Sequence, residues 1–206
     1  MDAALARAWL EETARVVAAE RDRLTALDAA IGDADHGTNL DRGFSEVRRA
    51  MTGSSPGELL VSAGSALIRK VGGASGPLYG SAFRSLGKAL DAERDVTLEA
   101  FAAAFEAAVS AVERLGRAAE GDKTMVDALR PAARALARAV RDGLEPREAL
   151  DQAARAAEEG AKATIPLTAR KGRASYLGER SAGHEDPGAV SAALIVRALH
   201  TVATRW

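Results

Sequence analysis

Asp28, Asp33 and Asp35 stand within eight residues of one another in "DAAIGDADHGTN", residues 28–39, and no lysine or arginine follows until Arg42. Like charges this close repel, so either a cation sits between them or their pKa values move. Three carboxylates on one centre suit a hard cation with oxygen ligands, Mg²⁺ above all, and three acids can hold two cations if one of them bridges. A turn followed by helix caps uses the same residue types. The neighbours favour the metal. "HGTN" follows at once and leads into a helix, so the amides of Gly37, Thr38 and Asn39 point outward at a helix start, where an anion is stabilised. A metal site touching an anion site is the arrangement a nucleotide diphosphate needs. His36 is open to three readings: a metal ligand, a phosphate or nucleotide contact, or a packed loop residue. The second is favoured.

Three further stretches carry candidate chemistry. In "VGGASGPLYGSAF", residues 71–83, Gly72, Gly73 and Gly76 let the backbone approach a ligand closely, and Ala74 and Ser75 offer amides and a hydroxyl at a helix start. No Gly-Lys-Ser/Thr follows and no strand precedes, so neither a Walker A loop nor a dinucleotide fold is supported. Close helix packing is the other account of Gly76 and Gly80. "GDKTMVDALRPA", residues 121–132, opens a helix with Asp122, Lys123 and Thr124. Met125 there is either core or a flexible apolar face for adenine. "ARKGRASYLGERSAGHEDPGAVS", residues 169–191, sets Lys171, Arg173, Arg180, His184 and Asp186 among glycines. It reads as a solvated basic loop, or as one whose arginine closes over phosphates and stabilises charge during transfer.

The elements that position these residues are helical. Leu10, Thr13, Val17, Leu24, Leu27 and Ile31 follow three- and four-residue steps, with Glu20 the polar exception, and predict one first helix ended by a left-handed Gly32. A second helix is expected from Thr38 to Met51. Ser55-Pro56-Gly57-Glu58 reads as a capping box opening a third, and a fourth runs from the glycine-rich turn toward Leu90. Thr97 opens a fifth that ends near Gly116. Asp122 or Thr124 opens a sixth, with Pro131 early in it and Gly143 closing it. Pro146 opens a seventh, and Asp186-Pro187 caps the last. That makes about eight helices and no strand, with short connections that favour antiparallel neighbours. Residues 164–186 are the exception, a loop long enough to have a function of its own.

Composition agrees and excludes alternatives. The chain has 206 residues, which suits one domain spanning residues 1–206, and a formal net charge of -1, which favours neither nucleic acid nor an anionic membrane. Hydrophobic residues make up 47% and aromatics only 4%, so the core is built from small aliphatic side chains that suit close helix packing. The absence of cysteine removes thiolate chemistry and is compatible with the cytoplasm. No apolar run approaches the length of a membrane span, and the charged N-terminus is not a signal peptide.

Taken in order, "DAAIGDADHGTN", "GGASGPLYG", "GDKTMVDAL" and "ARKGRASYLGERSAGHEDPGA" resemble the L, nucleotide-binding, part of the dihydroxyacetone (glycerone) kinases, over residues 28–191. The resemblance implies a closed barrel of eight antiparallel helices with the nucleotide at one end. It implies that Asp28, Asp33 and Asp35 hold two Mg²⁺ ions, that His36, Gly37, Thr38 and Asn39 bind phosphate, and that Ala74 and Ser75 contact the nucleotide. Gly116 and Met125 fall at the family's adenine pocket, Arg173 at its catalytic loop arginine, and Asp186, Pro187 and Gly188 at contacts on the last helix. Ala34 departs from the family, which usually has glycine there. The implied cofactors are ADP or ATP with Mg²⁺. The implied partners are a K-type sugar-binding subunit and a phosphohistidine protein of the sugar phosphotransferase system. Free L chains keep ADP and have it rephosphorylated in place, whereas fused ones use ATP. The alternatives are an ATP-using L unit for another small keto-sugar and a non-catalytic regulatory nucleotide-binding module. Homodimer formation is left open.

Overall fold

A computed structural model describes residues 1–90 and 95–203. Its elements are α1 (Ala3–Ala19), α2 (Arg21–Ile31), α3 (His36–Ala50), α4 (Pro56–Lys70), α5 (Ser75–Ala89), α6 (Leu98–Gly116), α7 (Val126–Arg141), α8 (Pro146–Ala163) and α9 (Pro187–Val202). A short 3₁₀ segment, Arg173–Ser181, lies in the long loop before α9 and is kinked at Gly178.

Four helix starts carry side-chain caps, whereas α7 begins at Val126, after the Asp122 or Thr124 start expected from the sequence, because Asp127 ties the intervening residues into a turn. Asp2 caps α1, Ser55 and Glu58 form the reciprocal box at α4, Thr97 caps α6 and Asp186 caps α9. The predicted first helix is two. The chain leaves helical geometry at Glu20 (φ -95°, ψ 3°), although Val17 and Leu24 on either side of the break both reach the core. The apolar period therefore survives a break that periodicity alone does not reveal. Gly32 ends α2 at φ -140°, outside the left-handed region; Asp28 explains the glycine, because its carboxylate fills the place a Cβ would take.

Eight helices close a ring. α1 packs on α3, then α3 on α4 and so on in chain order to α9, which returns to α1. α2 lies outside the ring and touches α3, α9, the 3₁₀ segment and, least, α1. The interior is aliphatic with a small aromatic knot: Trp9 lies 5.6 Å from Phe83 and 6.2 Å from Phe101, ring centre to centre, and its indole N–H donates to Ile195 O at 2.9 Å. α4 and α5 approach closely, at glycines. A Cβ on Gly64 would stand 2.6 Å from Gly80 O, and one on Gly87 2.5 Å from Gly57 O. Gly80 is therefore a packing residue. Because successive ring helices reverse direction, the starts of α3, α5, α7 and α9 and the ends of α2, α4, α6 and α8 gather at one end of the ring.

Candidate metal and nucleotide site

At that end lies a cleft of about 340 Å³, within the usual range for a small-molecule site. One oxygen from each of Asp28, Asp33 and Asp35 lies within 4.8 Å of the others. Asp28 is buried in the last turn of α2, and the other two are exposed on the connection to α3. Asp28 Oδ2 also accepts from the amides of Asp35 at 2.8 Å and His36 at 3.1 Å, so the carboxylate caps α3 from the preceding helix. The loop bends over it through Ala34 at φ 61°, a left-handed backbone that glycine adopts without strain. Among the described residues, nothing accepts from the amides of Gly37 and Thr38. Gly37 itself is buried, and a Cβ there would strike the Arg21 carbonyl, so its small size serves the packing of α3 on α2.

His36 sits in the wall of the cleft. Its Nε2 is 2.8 Å from Ser191 Oγ and its Nδ1 3.2 Å from Ser75 Oγ, while Tyr79 OH lies 2.6 Å from the same Ser191 oxygen. Burial pushes the His36 imidazole below its ordinary pKa, against the raising effect of Asp28 and Asp35. A neutral ring with both nitrogens engaged serves as a fixed wall linking α3, α5 and α9.

The glycine-rich turn brings Gly72, Gly73, Ala74 and Ser75 into the cleft beside His36 and Asn39. Gly73 takes φ 64°, and α5 starts at Ser75 without a side-chain cap. Beyond it, Leu78, Val112, Gly116, Ala118, Met125 and Val126 form an apolar recess. The turn before α7 is organised by the buried Asp127, which accepts from the amides of Gly121 at 2.6 Å and Thr124 at 2.7 Å. Asp186, Pro187 and Gly188 complete the wall from α9. Asp186 accepts from the Ala189 amide at 2.7 Å, and burial raises its carboxyl to about 7. Arg173 closes over the acids, with its Nε 2.8 Å from Asp33 Oδ2.

All the predicted site residues line this one cleft except Gly37 and Thr38. Two residues of weight escaped the sequence reading. Asp127 could have been found, because Thr124-x-x-Asp127 is a capping pattern. Lys123 could not: nothing in its neighbours marks a surface-type residue as buried.

Comparison with known proteins fixes the lineage. Residues 30–201 match the model of the DAK2 domain. The chain belongs to the DAK2 domain family. It is 42% identical over 194 residues to the "PEP-dependent dihydroxyacetone kinase, ADP-binding subunit DhaL" of Escherichia coli, covering 93% of this chain and 92% of that protein. It is 39% identical over 203 residues to the "L-erythrulose 1-kinase" of Mycolicibacterium smegmatis, covering 96% of this chain and 35% of that one. Among solved structures, the dihydroxyacetone kinase of C. freundii in complex with AMP-PNP and Mg²⁺ superposes with a TM-score of 0.70 at 26% identity, covering 98% of this chain. The chain spans about a third of that kinase's length (34%). The closed ring of eight helices implied by the resemblance is thus present and shared with that kinase, with α2 as a ninth α-helix among the described residues. Among the described residues no helix is long and apolar enough to cross a membrane.

Proposed function

We propose that this DAK2 chain is the ADP-binding subunit of a dihydroxyacetone kinase. In this role it takes a phosphoryl group from a phosphohistidine protein and passes it to dihydroxyacetone held on a separate K-type subunit. The observation that carries the reading is the cleft itself, where three converging carboxylates, an arginine, and His36 and Asn39 from the start of α3 surround one space. The relatives named as ADP-binding subunits support it. Residues 1–206 act as one nucleotide-binding domain.

The residues fit Mg²⁺ and a nucleotide. Asp28, Asp33 and Asp35 are oxygen donors at a spacing a hard cation bridges, and two ions are the count that three acids with one bridge allow. Bound Mg²⁺ and ADP supply, together, countercharge and the phosphoryl acceptor. The chain's own residues do the rest. Gly37, Thr38 and Asn39 present the start of α3 to phosphate oxygens, with His36 behind them. Ala74 and Ser75 present the start of α5. Gly116 and Met125 bound the recess that takes the base and keeps water from it. Asp186, Pro187 and Gly188 close the side of α9. Arg173 adds positive charge where negative charge develops during transfer. The acids orient the metal and take no proton, because activation of the sugar belongs to the partner. The same reading assigns the chain to the cytoplasm.

The test is transfer from labelled phosphohistidine donor to dihydroxyacetone with components omitted one at a time. Turnover should need this chain, the K-type subunit and the donor, with only the ADP the chain carries. A second reading comes from the 39% identity to an L-erythrulose 1-kinase: an ATP-using unit for another small keto-sugar. Turnover with ATP and no phosphohistidine donor would favour it, and sugar phosphorylation by this chain and ATP alone would overturn the subunit reading.

A further inference from the structure

Lys123 combines three features. It is only 1% exposed, rare for a lysine without a specific partner set. Its backbone is left-handed at φ 62°, where a non-glycine residue is strained. Its ammonium donates to two carbonyls that are far apart in sequence, Thr164 O at 2.7 Å and His184 O at 2.5 Å. Those carbonyls are the two stems of the long loop. Thr164 follows the last residue of α8, and His184 lies just before the cap of α9.

The neck of the loop is closed at the same level by its own bonds. Gly183 N donates to Ile165 O at 2.7 Å, and Asp186 N to Thr164 Oγ1 at 2.9 Å. A second strand of contact runs to the turn that carries Lys123, because Arg170 N donates to Asp122 O at 3.1 Å. Beyond the neck the loop is held mainly by its own short-range bonds, such as Ala169 N to Ser181 Oγ at 2.8 Å. Its outward reach ends in Arg173 on Asp33. Rigid placement of Arg173 thus depends on how the loop is fixed to the ring: the 3₁₀ segment rests on α2, Arg23 pairs with Glu185 at 3.3 Å, and Lys123, two residues before Met125 in the apolar recess, is the side chain that bonds both stems at once.

We propose that Lys123 is the positioning residue for Arg173, tying both stems of the 164–186 loop to the turn that carries Met125. The base side and the phosphate side of the cleft then form one mechanical unit. The strained backbone fits this role, since it brings the ammonium between the two stems. The proposal deepens the nucleotide reading above and rests on it for the identity of the ligand only.

Two variants test it. Lys123→Met keeps most of the volume and loses the donor; Lys123→Gly loses the donor and relieves the left-handed backbone. Amide exchange is read on the ligand-free chain. In both variants, amides of residues 166–183 should exchange about tenfold faster or more, while those of α4 and α5 keep their rates. Unchanged loop exchange would overturn the proposal. So would uniform acceleration that includes α4 and α5, because Lys123 would then support the core rather than the loop. A second readout separates positioning from mere structure. In the reconstituted kinase, Arg173→Ala should slow transfer strongly beside Lys123 and add little in the Lys123→Met background. Full, additive loss would also overturn the proposal. If Mg-ADP fails to bind the unaltered chain, the nucleotide reading falls, and the ligand-free exchange result still decides the role of Lys123.

Discussion

Arg173 Nε lies 2.8 Å from Asp33 Oδ2, so the loop arginine rests on one of the three clustered carboxylates. A carboxylate oxygen engaged by a guanidinium is a poorer cation ligand, and a guanidinium held by a carboxylate is not free for phosphate. In the function proposed above, a cation that took Asp33 would release Arg173 toward the nucleotide, and an arginine drawn to phosphate would leave Asp33 to the metal.

Replacing Arg173 with alanine should act with opposite signs on two measurements. Cation affinity in the absence of nucleotide, followed with Mn²⁺, should rise slightly. The arginine side chain is 70% exposed, so the lost pair is screened and the gain is limited to about fivefold. Phosphoryl transfer in the reconstituted kinase should fall by about a hundredfold or more, because charge develops on the moving group, while ADP affinity changes far less. Equal losses in transfer and in ADP affinity would make Arg173 a binding residue only.

Asp28 and Asp33 should separate under substitution by asparagine and alanine. Asp33 is exposed and its charge is opposed by Arg173 and crowded by its acidic neighbours, so Asp33→Asn should leave the ligand-free melting temperature unchanged or higher. Asp28 caps two amides of α3 from a buried position. Asp28→Ala should cost about 1–2 kcal/mol of stability, read by denaturant unfolding. Both Asp33→Asn and Asp28→Ala should lose most of the thermal stabilisation given by Mg-ADP. Full stabilisation of either by Mg-ADP would remove that residue from the metal site.

The fold was legible because small aliphatic stripes and capping residues both point to helices of ordinary length, and the two signals agree at Ser55, Thr97 and Asp186. The break at Glu20 was hidden because a stripe of core residues continues across it with hardly a change of phase. The acids were legible because their charges crowd in sequence as well as in space. Lys123 was not, since its burial comes from two loop stems some 41 and 61 residues away. Gly37 carries a demand that its motif does not show: the Arg21 carbonyl fills the place a Cβ would take, so the packing of α3 on α2 requires glycine there.

Ala34 offers a test of the acid loop's backbone. At φ 61° an alanine side chain crowds the following carbonyl, at a cost of about 1–2 kcal/mol, whereas glycine adopts this conformation freely and loses part of the gain to its greater unfolded-state entropy. Ala34→Gly should raise stability by about 0.5–1 kcal/mol in denaturant unfolding and leave Mg-ADP affinity within a small factor. A loss of stability would mean the loop does not hold this conformation in solution.

Asp186 should give the protein an inverted acid response. Its carboxyl is buried and raised to about 7, mainly by desolvation and further by Asp127 and Asp28, against the lowering effects of the Ala189 amide and Lys123. In the unfolded chain it titrates near the ordinary value of about 3.9. Between those two values the folded protein holds a proton that the unfolded chain has lost, so stability falls as pH rises from about 4 to about 7 and levels off above. The steepest contribution is about 1.4 kcal/mol per pH unit. His36 contributes with the opposite sign, because its lowered pKa makes the folded state gain stability as pH rises through the ordinary histidine range. The difference between the unaltered protein and Asp186→Asn isolates the carboxyl. The amide oxygen still accepts from Ala189 N, so the helix cap is kept. The variant should be less stable than the unaltered protein relative to its own value at pH 8 when both are taken to pH 5, because it lacks the stabilising proton uptake. Parallel stability curves for the two proteins from pH 4 to 8 would show that Asp186 is ionised throughout, held by Lys123 across the neck of the loop.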